Sequence, residues 1–271
     1  MLSDDAFLVD VESVRGQAGV HLWWLGQSGF LLHSEGRYAL LDPYLSESLT
    51  AKYATTDKPH VRTTRRVVDP ARLGFVDVVT STHNHTDHLD AETIGPLLAT
   101  NPKLRIIVPA ANLDFAARRL NIHPSKLDDA VDDEGVYAGG FEFAGVPAAH
   151  PNRELDDQGR DRFMGYLVYA GGRTIYHSGD TIVYDRMEER MRAEGPIDVA
   201  ILPINGKVGN MGGRDAARLA KDIGAKLVIP CHYEMFEFNT ADPRDEFIPE
   251  CERIGQPYKV LRAGERLTLG A

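Results

Sequence analysis

"VDVVTSTHNHTDHLD", residues 76–90, runs from a short β-branched segment straight into three histidines and an aspartate. The apolar part reads as a buried strand, and the polar part as the loop that leaves it, where a rigid sheet holds functional groups in place. Side chains two apart on extended backbone point the same way, so His83 and His85 converge, while Asp87 and His88 lie where the chain turns towards a helix beginning near Asp90. Imidazole nitrogens together with a carboxylate suit zinc, manganese or iron. They do not suit calcium, which takes oxygen ligands. A polar surface turn that happens to be histidine-rich is the plain alternative, and the pattern H-x-H-x-D-H directly after a buried strand argues against it.

Outward from this loop the chain alternates strands and helices. On its N-terminal side, "GVHLWWLGQSGFLLHSEGRYALLDPYL" reads as three strands broken at Gly26–Gly29 and Ser34–Gly36, a meander with hairpin turns. The segment 50–73 has no clean periodicity and reads as a long functional loop. On the C-terminal side "LRIIVP", "IDVAILP" and "AKLVIP" are further buried strands. Leu113, Ala116, Ala117 and Leu120 fall on one helical face, as do Ala216, Leu219, Ala220 and Ile223. A second β-rich block, "FEFAGVPAAH" and "GYLVYAGGRTIYHSGD", turns at Ala170–Gly172. With no repeat and no Pro-, Gly- and Ser-rich linker, residues 1–271 read as a single α/β domain with sheets inside and helices outside.

The 271 residues, 43% of them hydrophobic, are enough to bury a substantial core. A formal net charge of −10 argues against a nucleic-acid partner, which needs clustered Lys and Arg. Cys231 and Cys251 make no disulfide framework and fit a reducing compartment. The acidic N-terminus lacks the apolar core of a signal peptide, and no apolar run approaches the ~20 residues that cross a bilayer. A cytoplasmic protein without a membrane partner is expected, with a homo-oligomer left open.

Four ligands in one loop rarely complete a site. His150, His177 and His232 each follow or end a β-like run, whereas His21, His33, His60 and His123 sit in unremarkable settings. Asp180, in the glycine turn "HSGD", is placed where its carboxylate can bridge two cations, which would also explain a buried carboxylate there. His177 is a candidate proton donor or orienting partner, with a hydrogen-bonded structural histidine as the alternative.

H-x-H-x-D-H, an isolated His, an Asp after Ser-Gly and a final His together resemble the metallo-β-lactamase superfamily along most of the chain. The resemblance implies a four-layer αββα sandwich with a binuclear site at one edge. By it, His83, His85 and His150 would hold the first metal, Asp87, His88 and His232 the second, and Asp180 would join them. "WWLGQSGFLLHSEG", "RTTRRVVDP", "TIYHSGDT" and "AKLVIPCHYEMFEFNTADP" are similar to the L-ascorbate-6-phosphate lactonase branch, which implies lactone opening and manganese. "PINGKVGNMGGRDAARLA" resembles a neighbouring branch of metal-dependent hydrolases.

The expected chemistry is hydrolysis by a water that two divalent ions (Mn or Zn, with Fe a further candidate) acidify, with Asp87 orienting that water and taking its proton. The substrate reads as a small anion. Lys52, Lys58, Arg62, Arg65, Arg66 and Arg72 crowd the 50–73 segment against Asp57 and Asp69, and Arg62 with Thr63 and Thr64 would suit an oxyanion. Asn205, Lys207 and Asn210 are further candidates for lining the pocket. Opening of a phosphorylated sugar lactone or similar ester is the leading expectation. A phosphodiesterase acting on a small or cyclic diester comes second, and a non-catalytic metal-binding protein third, because a fold alone decides no reaction.

Overall fold

In the computed structural model, which describes residues 2–132, 134–207 and 209–270, helix α1 (Asp4–Ser13) precedes a meander of β1 (Val20–Gly26), β2 (Gly29–Ser34) and β3 (Arg37–Leu41). The turns fall where the apolar runs break, with Gly26 and Gln27 at φ 98° and 51° and Glu35 and Gly36 at 52° and 75°. Positive φ gives a hairpin turn the twist of its flanking strands. Next come α2 (Ser48–Tyr53), β4 (Val78–Thr80), α3 (Ala91–Thr100), β5 (Arg105–Pro109), α4 (Leu113–Leu120) and β6 (Leu127–Ala130). The second half contains β7 (Gly135–Ala138), β8 (Phe141–Pro147), β9 (Met164–Ala170), β10 (Arg173–His177) and α5 (Met187–Ala193). It continues with β11 (Val199–Pro203), α6 (Gly213–Asp222), β12 (Leu227–Cys231), α7 (Phe247–Ile254) and β13 (Arg266–Leu269).

Among the described residues, these strands form a seven-stranded sheet in the order β13-β1-β2-β3-β4-β5-β6 and a six-stranded sheet in the order β12-β11-β10-β9-β8-β7. Pairing is antiparallel through the meander and the β7–β10 block, and parallel from β3 to β6 and from β10 to β12. Parallel strands covered on both sides need unbroken apolar runs. Hence "VAILP" of β11 is buried at every position. One apolar cluster joins Trp24 and Leu32 of the first sheet to Tyr166, Ile175 and Ile201 of the second. Outside the sheets, α4 packs on β5 and β6 with Ala116, Ala117 and Leu120 buried, and α6 packs on β11 and β12 with Ala216, Leu219 and Ala220 buried. The result is the four-layer αββα arrangement.

The segment 50–73 is more regular than its sequence suggests. It contains the end of α2 and a 3₁₀ turn at Pro70–Arg72, capped by the Asp69 carboxylate on the Ala71 N–H. Helix α1 escapes pattern reading because it is acidic and, apart from the partly covered Leu8, buries only Phe7 and Val11. Its Asp10 accepts a hydrogen bond from Trp23 Nε1 at 2.7 Å. Asp90 caps α3, accepting from Glu92 N and from Thr93 Oγ1. The helix therefore starts where the histidine loop ends.

Candidate metal centre

Parallel strands align their C-terminal ends, and the chemistry-bearing residues sit just beyond those ends. His83–His88 follow β4, Asp180 follows β10 and His232 follows β12, while His150 arrives from β8. One group consists of His83, His85, His150 and Asp180, and an adjoining group of Asp87, His88 and His232; within each, one ligand atom per residue lies within 4.8 Å of the others. Asp180 touches both: its carboxylate oxygens lie 3.8 Å from His150 Nε2, 3.3 Å from His88 Nε2 and 3.3 Å from His232 Nε2. Asp87 Oδ2 is 3.7 Å from His88 Nε2 and 3.5 Å from His232 Nε2. Ligands about 2.1 Å from one tetrahedral cation stand roughly 3.4 Å apart, so these spacings leave room for an ion.

The ring nitrogens facing the centre are kept free by what holds the opposite nitrogens. His88 Nδ1 lies 2.6 Å from Asp42 Oδ2, and His150 Nδ1 lies 3.0 Å from the Gly209 carbonyl. In each case Nδ1 carries the proton and Nε2 keeps its lone pair. Gly209 cannot be replaced cheaply, since a Cβ there would meet Pro151 N at 2.7 Å. Gly179 (φ 59°) likewise lets the Asp180 turn close on Thr82, which a Cβ would meet at 2.7 Å. His83 Nε2, His88 Nε2 and Asp180 Oδ1 are buried without a hydrogen-bond partner among the described residues. Unpartnered buried polar atoms aimed at one another are costly unless something bridges them.

The electrostatics agree. Burial works against protonation of His88 and His232, yet Asp180 and Asp87 outweigh it, raising His88 well above its usual value and pushing His232 up to about 9. The same partners overcome burial to hold the Asp87 and Asp180 carboxyls far below the usual carboxylate range. His83, shielded from solvent and beside His88, is pushed well below its usual value and stays neutral. Two carboxylates at the focus thus demand positive charge, and without cations they recruit protons.

The sequence candidates divide. Asn205 and Asn210 line the cavity over this centre, as do His85, Asp87, His150, Asp180 and His232. His177 does not: it is fully buried, packs edge-on to Phe30, and its Nε2 donates to the Ser28 carbonyl at 2.8 Å. Arg62 is also misplaced as a substrate ligand. Its guanidinium points inward, donating to the carbonyls of Thr64 at 2.7 Å and Ser46 at 2.5 Å and pairing with Glu47. Thr63 Oγ1 and Thr64 Oγ1 both donate to the Glu234 carbonyl. Lys207 reaches away to the Phe238 carbonyl at 2.8 Å. These side chains tie loops together, because unpaired carbonyls in irregular segments need donors. Arg62→Ala is therefore expected to lower stability by about 1–3 kcal/mol while leaving KM within about a factor of two. Melting curves and steady-state kinetics check this, and a selective KM rise for phosphorylated substrates would return Arg62 to the binding site.

Several contributors escaped the sequence reading. Asp42, in "LLDP", and Gln27, in the first hairpin turn, contact the ligand set directly. Phe163 is a platform whose ring centroid lies 5.0 Å from His83, 5.4 Å from His150 and 5.9 Å from His85. The cavity, about 470 Å³, is walled by Tyr53, His60, Phe236 and Phe238 and carries Lys52, Lys58 and Arg119. His60, whose sequence setting is unremarkable, stacks on Tyr53 at 4.0 Å.

Residues 21–232 match the beta-lactamase superfamily domain. The chain belongs to that superfamily. Among curated superfamily members, a UPF0173 metal-dependent hydrolase of Pyrococcus furiosus is 32% identical over 261 residues, covering 92% of this chain and 100% of the relative. The probable L-ascorbate-6-phosphate lactonase UlaG of Escherichia coli is 28% identical, covering 83% of this chain and 72% of the relative. Among solved structures, the metallo hydrolase Igni18 of Ignicoccus hospitalis superposes with a TM-score of 0.68 at 24% identity, over 94% of this chain and 100% of that one. YhfI of Bacillus subtilis, a metallo-beta-lactamase fold protein, gives 0.66 at 18%, over 93% and 100%. The protein is a metal-dependent hydrolase of the metallo-β-lactamase superfamily.

Proposed function

We propose that the seven clustered side chains hold two divalent cations, Mn or Zn with Fe as a third candidate, and that the protein hydrolyses a small anionic ester, of which a phosphorylated sugar lactone is the leading case. His83, His85 and His150 would hold one ion, Asp87, His88 and His232 the other, and Asp180 would serve both. The observation that carries this is the Asp180 carboxylate, within 3.8 Å of ring nitrogens from both groups. When bound, such a pair supplies Lewis acidity and an acidified water. Asp87, held as a carboxylate at the cavity wall, would be placed to orient a water there and accept its proton. Asn205 and Asn210 also line the cavity and offer amide groups for substrate hydroxyls or carbonyls.

The substrate class rests on the walls. Lys52 and Lys58 line the cavity and form no ion pair among the described residues, unlike most cations of this acidic chain, whereas Arg119 beside them donates to the Asn84 and Leu89 carbonyls. Lys52 lies over the Tyr53 ring at 5.1 Å and Arg119 over Phe115 at 4.4 Å. Unpaired cations beside a concave polar site favour an anion, and aromatic faces suit the C–H face of a sugar ring. A cavity of this size fits a small molecule. The similarity to a lactonase gives the same direction.

Turnover of sugar lactones with and without phosphate, beside simple phosphodiesters, under Mn²⁺ and under Zn²⁺, tests the reading. Lys52→Ala and Lys58→Ala are each expected to raise KM about fivefold for anionic substrates, with kcat little changed. An equal effect on neutral lactones would remove them from anion recognition. Turnover of phosphodiesters alone would replace the lactonase reading with the phosphodiesterase one.

A further inference from the structure

We propose that Gln27 is a positioning residue whose side-chain amide holds the Asp87 carboxylate, and through it the second cation group. The inference rests on the two-cation reading. Gln27 is fully buried in the turn between β1 and β2. Its Nε2 donates to Asp87 Oδ2 at 2.8 Å. The carboxylate fixes which way the amide faces, since Oε1 turned towards Asp87 would set two acceptors against each other.

The relation to His232 is different. Gln27 Nε2 stands 3.0 Å from His232 Nε2 and 3.4 Å from His232 Nδ1. A donor lying in the ring plane on the Nε2 lone pair would be roughly 5 Å from Nδ1. The amide therefore sits over the ring face. It packs against His232 and leaves the lone pair free, while its N–H is committed to Asp87.

The turn that presents Gln27 is anchored from three directions. The Gln27 carbonyl accepts from Trp24 Nε1 at 3.0 Å and from the His232 N–H at 2.9 Å. The next carbonyl, Ser28, accepts from His177 at 2.8 Å. His177 thus anchors the turn, and its buried ring does not line the cavity. Gln27 holds φ 51°, a left-handed conformation that few residues other than glycine adopt, and Gly26 precedes it at φ 98°, where any side chain would be strained. A hairpin needs none of these side-chain contacts, whereas a ligand carboxylate needs a fixed orientation. Gln27 Oε1 has no partner among the described residues. The amide is therefore only half used, and the half in use is the one that meets Asp87.

The test is calorimetric titration of chelator-stripped protein with Mn²⁺, and separately with Zn²⁺. Wild type is expected to take up two ions. Gln27→Met keeps the side-chain length and removes the donor. It should weaken one of the two binding steps by about 10–100-fold, leave the other unchanged and keep the metal-free melting temperature. Added to Asp87→Asn, the same substitution should cause no further weakening, which a purely structural role would not produce. If Gln27→Met does not fold, Gln27→Asn, which withdraws the amide by one methylene, should show the same selective weakening. Two unchanged binding steps in a variant, or both weakened equally, overturn the role of Gln27 alone. No uptake by wild type overturns the two-cation reading beneath it.

Discussion

Asp180→Ala is expected to lower kcat/KM on the order of 10³-fold or more and to leave at most one of the two proposed cations bound. Its carboxylate is buried where the two groups meet, with His88, His232 and His150 around it. Two cations held close together repel, and a shared anion between them is what makes the pair tenable. Without it, His88 and His232 in the metal-free protein also lose the largest of the charges that raise their pKa, leaving Asp87, so they titrate at lower pH. The fold should survive, because the turn carrying Asp180 is set by Gly179 and by the Ser178 N–H donating to the Ile201 carbonyl. Elemental analysis beside steady-state kinetics reads both effects. Two ions retained with near-normal turnover would mean that Asp180 does not bridge.

Asp42→Ala is expected to cost about 3–5 kcal/mol of stability and to weaken metal binding about 10–100-fold, although Asp42 belongs to neither ligand group. The side chain is fully buried, and it accepts from His88 Nδ1 at 2.6 Å, from Thr82 N at 3.0 Å and from Thr82 Oγ1. Alanine strands three donors in a closed interior. Asp42→Asn separates the two effects. Asparagine tolerates the φ of 42°. Its amide, however, must either set its NH₂ against Thr82 or turn it to His88. The second choice drives the imidazole proton to Nε2, the nitrogen that faces the metal group. Melting curves of metal-free protein and metal titrations of both variants decide the matter. Unchanged affinity in Asp42→Asn would show that the carboxylate holds the loop without governing the ring.

The layers of the fold were legible because each follows from a local pattern. The apolar runs of β4, β5, β11 and β12, the glycine breaks of the meander and the helical spacing of α4 and α6 all lie within a few residues of one another. Helices α1 and α7 were not: α1 is acidic and buries few residues, and the apolar face of α7, formed by Phe247, Cys251 and Ile254, is interrupted along the chain by Pro249 and Glu250.

At the candidate site the same division holds, for the same reason. The sequence by itself determined the residues whose chemistry is declared by spacing: the H-x-H-x-D-H loop after a buried strand, and the lone Asp and His at later strand ends. Only the tertiary structure decided what each side chain faces. Arg62 and His177 look reactive in isolation, but the carbonyls of Ser46, Thr64 and Ser28 claim them. Asp42 and Gln27 look like ordinary turn residues, yet folding sets them against His88 and Asp87. A hydrogen bond joins groups by distance in space, and residues forty-six and sixty positions apart leave no trace of that distance along the chain.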